Sequence, residues 1–146
     1  MLVEKILPDI RKRLLCIEPT ATLLQAARLL DDGRDMLLVC DAGRGLAGIV
    51  TKTDVVRMTG RCVGAGCTAP VTEAMTREVL STTPQAWLHD VWKAMQDREL
   101  KNVPVLDNDG TPLGILNARD ALQMLLQEVR YEEELLRDYA MSLGYR

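Results

Sequence analysis

The stretch Gly48-Ile49-Val50-Thr51-Lys52-Thr53-Asp54 (GIVTKTD) returns later in the chain as Gly114-Ile115-Leu116-Asn117-Ala118-Arg119-Asp120 (GILNARD). The repetition extends outward on both sides. Pro19 and Pro84 lie 65 positions apart, as do Leu23 and Leu88, Leu30 and Met95, and Asp32 and Asp97. After a one-residue adjustment near Gly33 the offset becomes 66, pairing Val39 with Val105, Asp41 with Asp107 and Asp54 with Asp120. Two copies of one unit account for most of the chain, and a repeat of this length governs the fold before any single element is assigned.

Within each unit the hydrophobic period changes in the same order. TLLQAARLL (22–30) and WLHDVWKAM (87–95) space their apolar residues as helices do, and Thr22 with Gln25 has the form of a capping box. The short apolar runs MLLVC (36–40) and VPVL (103–106) lead into the turns DAGRG and DNDG, then into LAGIV (46–50) and PLGIL (112–116), which predicts a β-hairpin in each unit. Thr51 and Asn117 stand where a further helix begins. Short stretches at Leu14–Ile17 and Val79–Thr82 predict a strand before each first helix, so the unit reads β-α-β-β-α. Apolar positions from 121 to 143 continue the last helix well beyond its counterpart in copy one. The expected class is α/β (α+β): two pseudo-twofold-related units packed into one module, plus a long C-terminal helix. The expected divisions are 1–60 with an N-terminal lead-in, a Gly/Cys loop at 61–70, a second unit at 71–128 and a helical extension at 129–146.

Composition excludes several classes. With 146 residues, 47% of them apolar and 27% charged, the chain has an ordinary globular balance and is long enough to bury roughly two-thirds of its unfolded surface. A net charge of -3 argues against nucleic acid as the main partner. No apolar run is long enough to span a bilayer, and the charged start MLVEKILPDIRKRLL is unlike a secretory signal. A cytoplasmic protein is expected, with its four cysteines reduced. No metal or cofactor is required.

The repeated heptapeptide has two readings. Thr or Asn at a helix start with an acid in the first turn is an ordinary cap, satisfying orphan amides and complementing the helix dipole. An Asp at such a junction, facing a cleft, can also accept both hydroxyls of a ribose, while the helix N-terminus holds a neighbouring phosphate. Two units of about 60 residues are each marginal alone. Packed face to face they share a core and leave equivalent loops across a cleft, where ligands usually sit.

GIVTKTD and GILNARD, together with KNVPVLDNDGTPLG, the openings IEPTATLLQAARLL and TTPQAWLHDVWKAM, and AMTREVLST (74–82), resemble a tandem pair of cystathionine β-synthase (CBS) domains, a Bateman module, over about residues 10–128. The resemblance implies a stand-alone, non-enzymatic sensor of an adenosyl ligand such as AMP, ADP, ATP or S-adenosylmethionine, signalling through homodimer geometry to a regulated protein. By position, Asp54 and Asp120 would take ribose hydroxyls, and Thr51 and Asn117 ribose or phosphate. Met36, Leu37, Val103 and Pro104 would lie against the base, and Lys101 and Arg119 would be the phosphate partners. Copy one has Leu37-Leu38-Val39 where the family favours proline, and Asn117 stands where Ser or Thr is usual, so the clefts are expected to be inequivalent, with the Thr51–Asp54 corner the better match.

The other readings are a module that keeps the fold without a ligand, and a redox-responsive protein using Cys62 and Cys67 in RCVGAGC. Cys16 and Cys40 fall in predicted strands and are expected to be buried apolar residues. His89 has no partner in the sequence that would make a catalytic constellation. Trp92 is expected in the core and Trp87 at the interface between units. The extension EEELLRDYAMSLGYR is expected either to pack back on its module or to contact another chain.

Overall fold

In the computed structural model, which describes residues 1–31, 33–61 and 68–144, each unit carries its own hairpin. The elements run α1 (Leu7–Lys12), β1 (Cys16–Ile17), α2 (Leu23–Leu29), β2 (Met36–Asp41), β3 (Gly45–Thr51), α3 (Lys52–Arg61), α4 (Leu88–Asp97), β4 (Asn102–Leu106), β5 (Pro112–Asn117) and α5 (Ala118–Gly144). The fold is the expected α/β pair with a long final helix. One sheet has the order β1-β2-β3, with β1 parallel to β2 and β2 antiparallel to β3; the other is the antiparallel pair β4-β5. The capping box forms as the sequence predicts: the Gln25 amide donates to Thr22 Oγ1 and the Thr22 amide to Gln25 Oε1.

The strand expected at 79–82 is reduced to a single parallel pairing of Thr82 with Val105. It is the counterpart of Ile17 with Val39 in copy one. The cause is local. In copy one the Leu38 amide donates to the Leu15 carbonyl at 2.8 Å. The equivalent donor in copy two is Pro104, which has no amide proton, so the ladder closes after the bonds from the Thr82 and Leu106 amides. Helix α3 continues to Arg61, the first position of the loop expected at 61–70, and the Thr59 hydroxyl donates back to the Val55 carbonyl. Cys62 and Cys67 lie outside the described residues.

Strand alternation sorts the side chains into three layers. Leu37, Val39 and Val50 join Ile17, Ala26 and Leu30 in the first unit's core; Val103, Val105 and Leu116 join Leu88, Val91 and Met95 in the second's. The opposite strand faces put Met36, Leu38 and Ile115 together in a third cluster. Each fully buried aliphatic side chain contributes on the order of 1.5–3 kcal/mol.

The segments leading into each unit cross over. Val3, Ile6 and Ile10 are buried in the second unit's core, while Val71, the counterpart of Ile6, is buried in the first. Thr76 pairs with Ile49 of β3 through two backbone hydrogen bonds of 2.8 and 2.9 Å. Met75 and its counterpart Ile10 meet the glycines that open the repeated heptapeptides. A Cβ on Gly48 would lie 2.6 Å from the Thr76 carbonyl oxygen and 3.0 Å from Met75 Sδ, and one on Gly114 would collide with the Ile10 backbone. Glycine is needed at both positions for close backbone approach across the units.

Candidate ligand-binding clefts

The first heptapeptide runs from the end of β3 into α3 and turns Thr51 and Asp54 towards a cleft of about 710 Å³. Asp54 is only 7% exposed. Its Oδ2 accepts the Thr51 amide at 2.9 Å and the Thr51 hydroxyl at 3.1 Å, and its own amide donates to Thr51 Oγ1 at 3.3 Å. The capping reading of this corner therefore holds. It leaves a defined remainder: among the described residues Oδ1 has only Arg57 at 3.5 Å, and that guanidinium is more than half exposed. A carboxylate oxygen accepts two hydrogen bonds, so Oδ1 retains capacity for a ligand hydroxyl. With its proton turned to Asp54, Thr51 Oγ1 keeps acceptor capacity alone.

The opposite wall of this cleft comes from the second unit. Arg98, Glu99, Leu100, Lys101 and Asn102 line it, with Met36 and Lys52 on the first unit's side. Lys52 is paired with Asp35 at 3.7 Å. Among the described residues Arg98 and Lys101 have no carboxylate partner, which leaves two cations across the cleft from Asp54. Glu99 has φ 56°, and no other non-glycine residue among those described has a positive φ. It stands at the C′ position of α4, where the Leu100 amide donates to the Met95 carbonyl at 2.8 Å and the Glu99 amide to the Gln96 carbonyl at 3.1 Å. This closes the helix as a Schellman motif, which favours glycine at that place. The counterpart in copy one is Gly33, at φ 75°.

The second heptapeptide sits differently. Arg13 Nε donates to Asp120 Oδ2 at 2.7 Å and Nη2 to Oδ1 at 3.2 Å, a bidentate pair engaging both oxygens of the acid. The same contact raises the Arg13 pKa above its ordinary value. Asn117 Oδ1 accepts the Arg119 and Asp120 amides, and its Nδ2 donates to Asn102 Oδ1 at 3.0 Å. Asp120 lines a pocket of about 360 Å³ with Asp9, Lys12 and Arg13, and neither Asn117 nor Arg119 is in its wall. The counterpart of Arg13 by the repeat is Glu78, which lines the first cleft. Nothing in the run RKR (11–13) distinguishes Arg13 from a solvated basic residue, so its role was not readable from the sequence.

Of the residues expected around a ligand, the structure brings Met36, Thr51, Asp54 and Lys101 together in the first cleft. Leu37 and Val103 are fully buried in the cores of their own units. Their side chains face away from the cleft, because Met36 takes the outward strand position. Pro104 is buried and Arg119 exposed, and neither lines the first cleft.

The cysteines correct a further expectation. Cys16 is exposed and Cys40 half-buried, because β1 is a two-residue edge strand whose inward position belongs to Ile17. Their sulfurs are 3.4 Å apart. Burial, and then the hydrogen bond to Cys16, push the Cys40 thiol up to about 12. Both line a separate cleft of about 950 Å³ beside the two hairpin turns. Trp92 packs partly buried against the second unit's core, whereas Trp87 is 60% exposed, its backbone pairing with Leu2. His89 is exposed, near Asp90 and the Trp92 ring. No described helix is long and apolar enough to cross a membrane.

Two repeated units, the second with its opening strand reduced to one pairing, exchange lead-ins and leave a cleft at the repeated heptapeptide, which defines a tandem-repeat module. The chain belongs to the CBS domain family, whose model matches residues 3–60 and 71–127. It is 25% identical over 111 residues to a 17.7 kDa protein of Acidianus ambivalens, covering 75% of this chain and 66% of that one. It is 32% identical over 106 residues to the arabinose 5-phosphate isomerase GutQ of Escherichia coli, covering 71% of this chain but only 32% of that enzyme. Among solved structures, AcuB from Vibrio cholerae superposes with a TM-score of 0.75 at 26% identity, covering 92% and 96% of the two chains. The CBS domain pair of protein MJ0100, in complex with 5′-methylthioadenosine and S-adenosyl-L-methionine, gives 0.72 at 22% identity, covering 88% and 98%. CBSX2 in complex with AMP gives 0.72 at 23%, covering 86% and 96%.

Proposed function

We propose that this chain is a non-enzymatic regulatory module that binds an adenosyl ligand (AMP, ADP, ATP or S-adenosylmethionine) in the first cleft and passes its occupancy on through dimer geometry. The observation that carries this reading is the cleft of about 710 Å³ that sets Asp54 and Thr51 of one unit against Lys101 of the other. Asp54 Oδ1 takes a ribose hydroxyl. The N-terminus of α3 and the free cations Lys101 and Arg98 hold an anionic or carboxylate end of the ligand. Met36 and the edge of β4 pack against the base, with Leu37, Val103 and Pro104 contributing backbone alone. That MJ0100 and CBSX2 carry adenosyl ligands on the same fold supports this choice of class.

A ligand-free reading applies to the second cleft, and Arg13 favours it: its guanidinium holds Asp120 in a charge-assisted bidentate pair, one bond to each oxygen, which a ligand would have to share or displace. Asn117, Arg119 and Asp120 then serve the fold in place of a ligand. Binding transmits a signal only if the ligand interacts differently with two arrangements of the units or subunits. Thermal unfolding with AMP, ATP and S-adenosylmethionine tests the class. A ligand at a hundred times its dissociation constant stabilises the folded state by about 2.7 kcal/mol. No shift with any of the three at millimolar concentration would remove the adenosyl reading.

A further inference from the structure

From Val129 to Gly144 every residue of α5 is exposed. That half of the helix nevertheless carries an ordered apolar stripe. Leu122, Val129, Leu136 and Leu143 recur every seven residues, with Leu126, Glu133 and Ala140 interleaved at steps of four and three. This is the spacing of a coiled-coil seam. The alternative line through Leu125, Glu132 and Tyr139 is blocked at its start, because Leu125 packs against the second unit's core whereas Leu126 is 49% exposed. The five large aliphatic residues of the seam are between 39% and 68% exposed. An exposed apolar stripe of this kind, broken only at Glu133, marks an interaction surface.

We infer that this face of α5 pairs with the same face of a second copy of the chain as a parallel two-stranded coiled coil. The charges choose both the occupant and its direction. With Leu126, Glu133 and Ala140 at a, and Leu122, Val129, Leu136 and Leu143 at d, Glu132 falls at g and Arg137 at the following e. In a parallel pair g of one helix meets the next e of the other, so Glu132 faces Arg137 of the second copy on both sides of the seam. In an antiparallel pair e meets e and g meets g. The e positions Arg130 and Arg137 would then meet only arginine, and Glu132 would find no basic partner. Glu133, the one charged seam residue, meets Glu133 of the second copy at its a layer, a like-charge contact that lowers stability and that the flanking Glu132–Arg137 pairs offset.

This inference deepens the dimeric part of the reading above by naming the surface, and it does not depend on which ligand the cleft takes. Sedimentation equilibrium of the full chain is expected to show a dimer that Leu136→Asp weakens by about thirtyfold or more, since both helices lose a central contact. Leu136 is exposed, so that variant keeps its fold and any thermal shift with AMP or S-adenosylmethionine. Arg137→Glu is expected to weaken the dimer by about tenfold, and Glu132→Arg in the same chain to restore it. Mild oxidation of Ala140→Cys is expected to join two chains through the introduced thiols, located by peptide mapping. A wild-type chain that stays monomeric, a dimer indifferent to Leu136→Asp, no rescue by the charge exchange, or no bridge at position 140 would each overturn the inference. An intact dimer in Leu136→Asp that still binds ligand would discard this surface and leave the sensor reading standing.

Discussion

Asp54 and Asp120 occupy the same place in a repeated sentence and meet different neighbours. Asp54 is held by Thr51 and keeps one oxygen for a ligand; Asp120 has both oxygens on Arg13. The cysteines show the same dependence on surroundings. A thiol must ionise to react, and the Cys40 thiol, pushed up to about 12, stays protonated through neutral and mildly alkaline pH. Iodoacetamide at pH 8 is therefore expected to label exposed Cys16 well before Cys40; equal rates at pH 8, read by peptide mapping, would contradict this. Glu99 supplies a third case. Left-handed backbone costs a residue with a Cβ about 1–2 kcal/mol, partly offset in the unfolded chain when glycine replaces it. Glu99→Gly is expected to raise stability by about 0.5–1 kcal/mol in urea unfolding and, by removing an acid from the cleft, to leave any anionic ligand bound at least as tightly.

At the scale of elements, hairpins, helices and their order were legible because each is announced locally by period, cap and turn. What was not legible came from contacts between units. The strand at 79–82 carries a suitable apolar run, but its neighbour's donor is Pro104, and only the pairing shows that this is where the ladder stops. Within the heptapeptides themselves nothing calls for glycine at 48 and 114. Their requirement comes from the other unit's lead-in, whose backbone passes where a Cβ would stand. Gly48→Ala and Gly114→Ala are accordingly expected to destabilise the protein by about 2 kcal/mol or more, with Gly114→Ala the worse because backbone must move there. Denaturant midpoints check this, and a neutral Gly114→Ala would show that the crossed lead-in packs less closely. The role of Arg13 is illegible in the sequence for the same reason: its partner lies 107 residues away.

At the scale of the whole molecule, the two units are equivalent in path and inequivalent in chemistry. The repeat brings Thr51 and Asp54 to one end of a cleft and Lys101 to the other, while Arg13 pairs with the acid at the counterpart corner. On the proposed reading, that asymmetry corresponds to one ligand per chain. The family likeness alone, which allows two clefts, does not give this number. The most direct test is a calorimetric titration of wild type, Asp54→Ala and Asp120→Ala with AMP and with S-adenosylmethionine, each variant first shown to be folded. The account expects one of these ligands to bind wild type at one site per chain. It expects Asp54→Ala to weaken that binding by about thirtyfold or more, since a charge-assisted hydrogen bond to a hydroxyl is lost in a mostly buried corner. Asp120→Ala is expected to change the affinity by no more than about threefold. Unchanged affinity in Asp54→Ala, or loss of binding in Asp120→Ala alone, would contradict it.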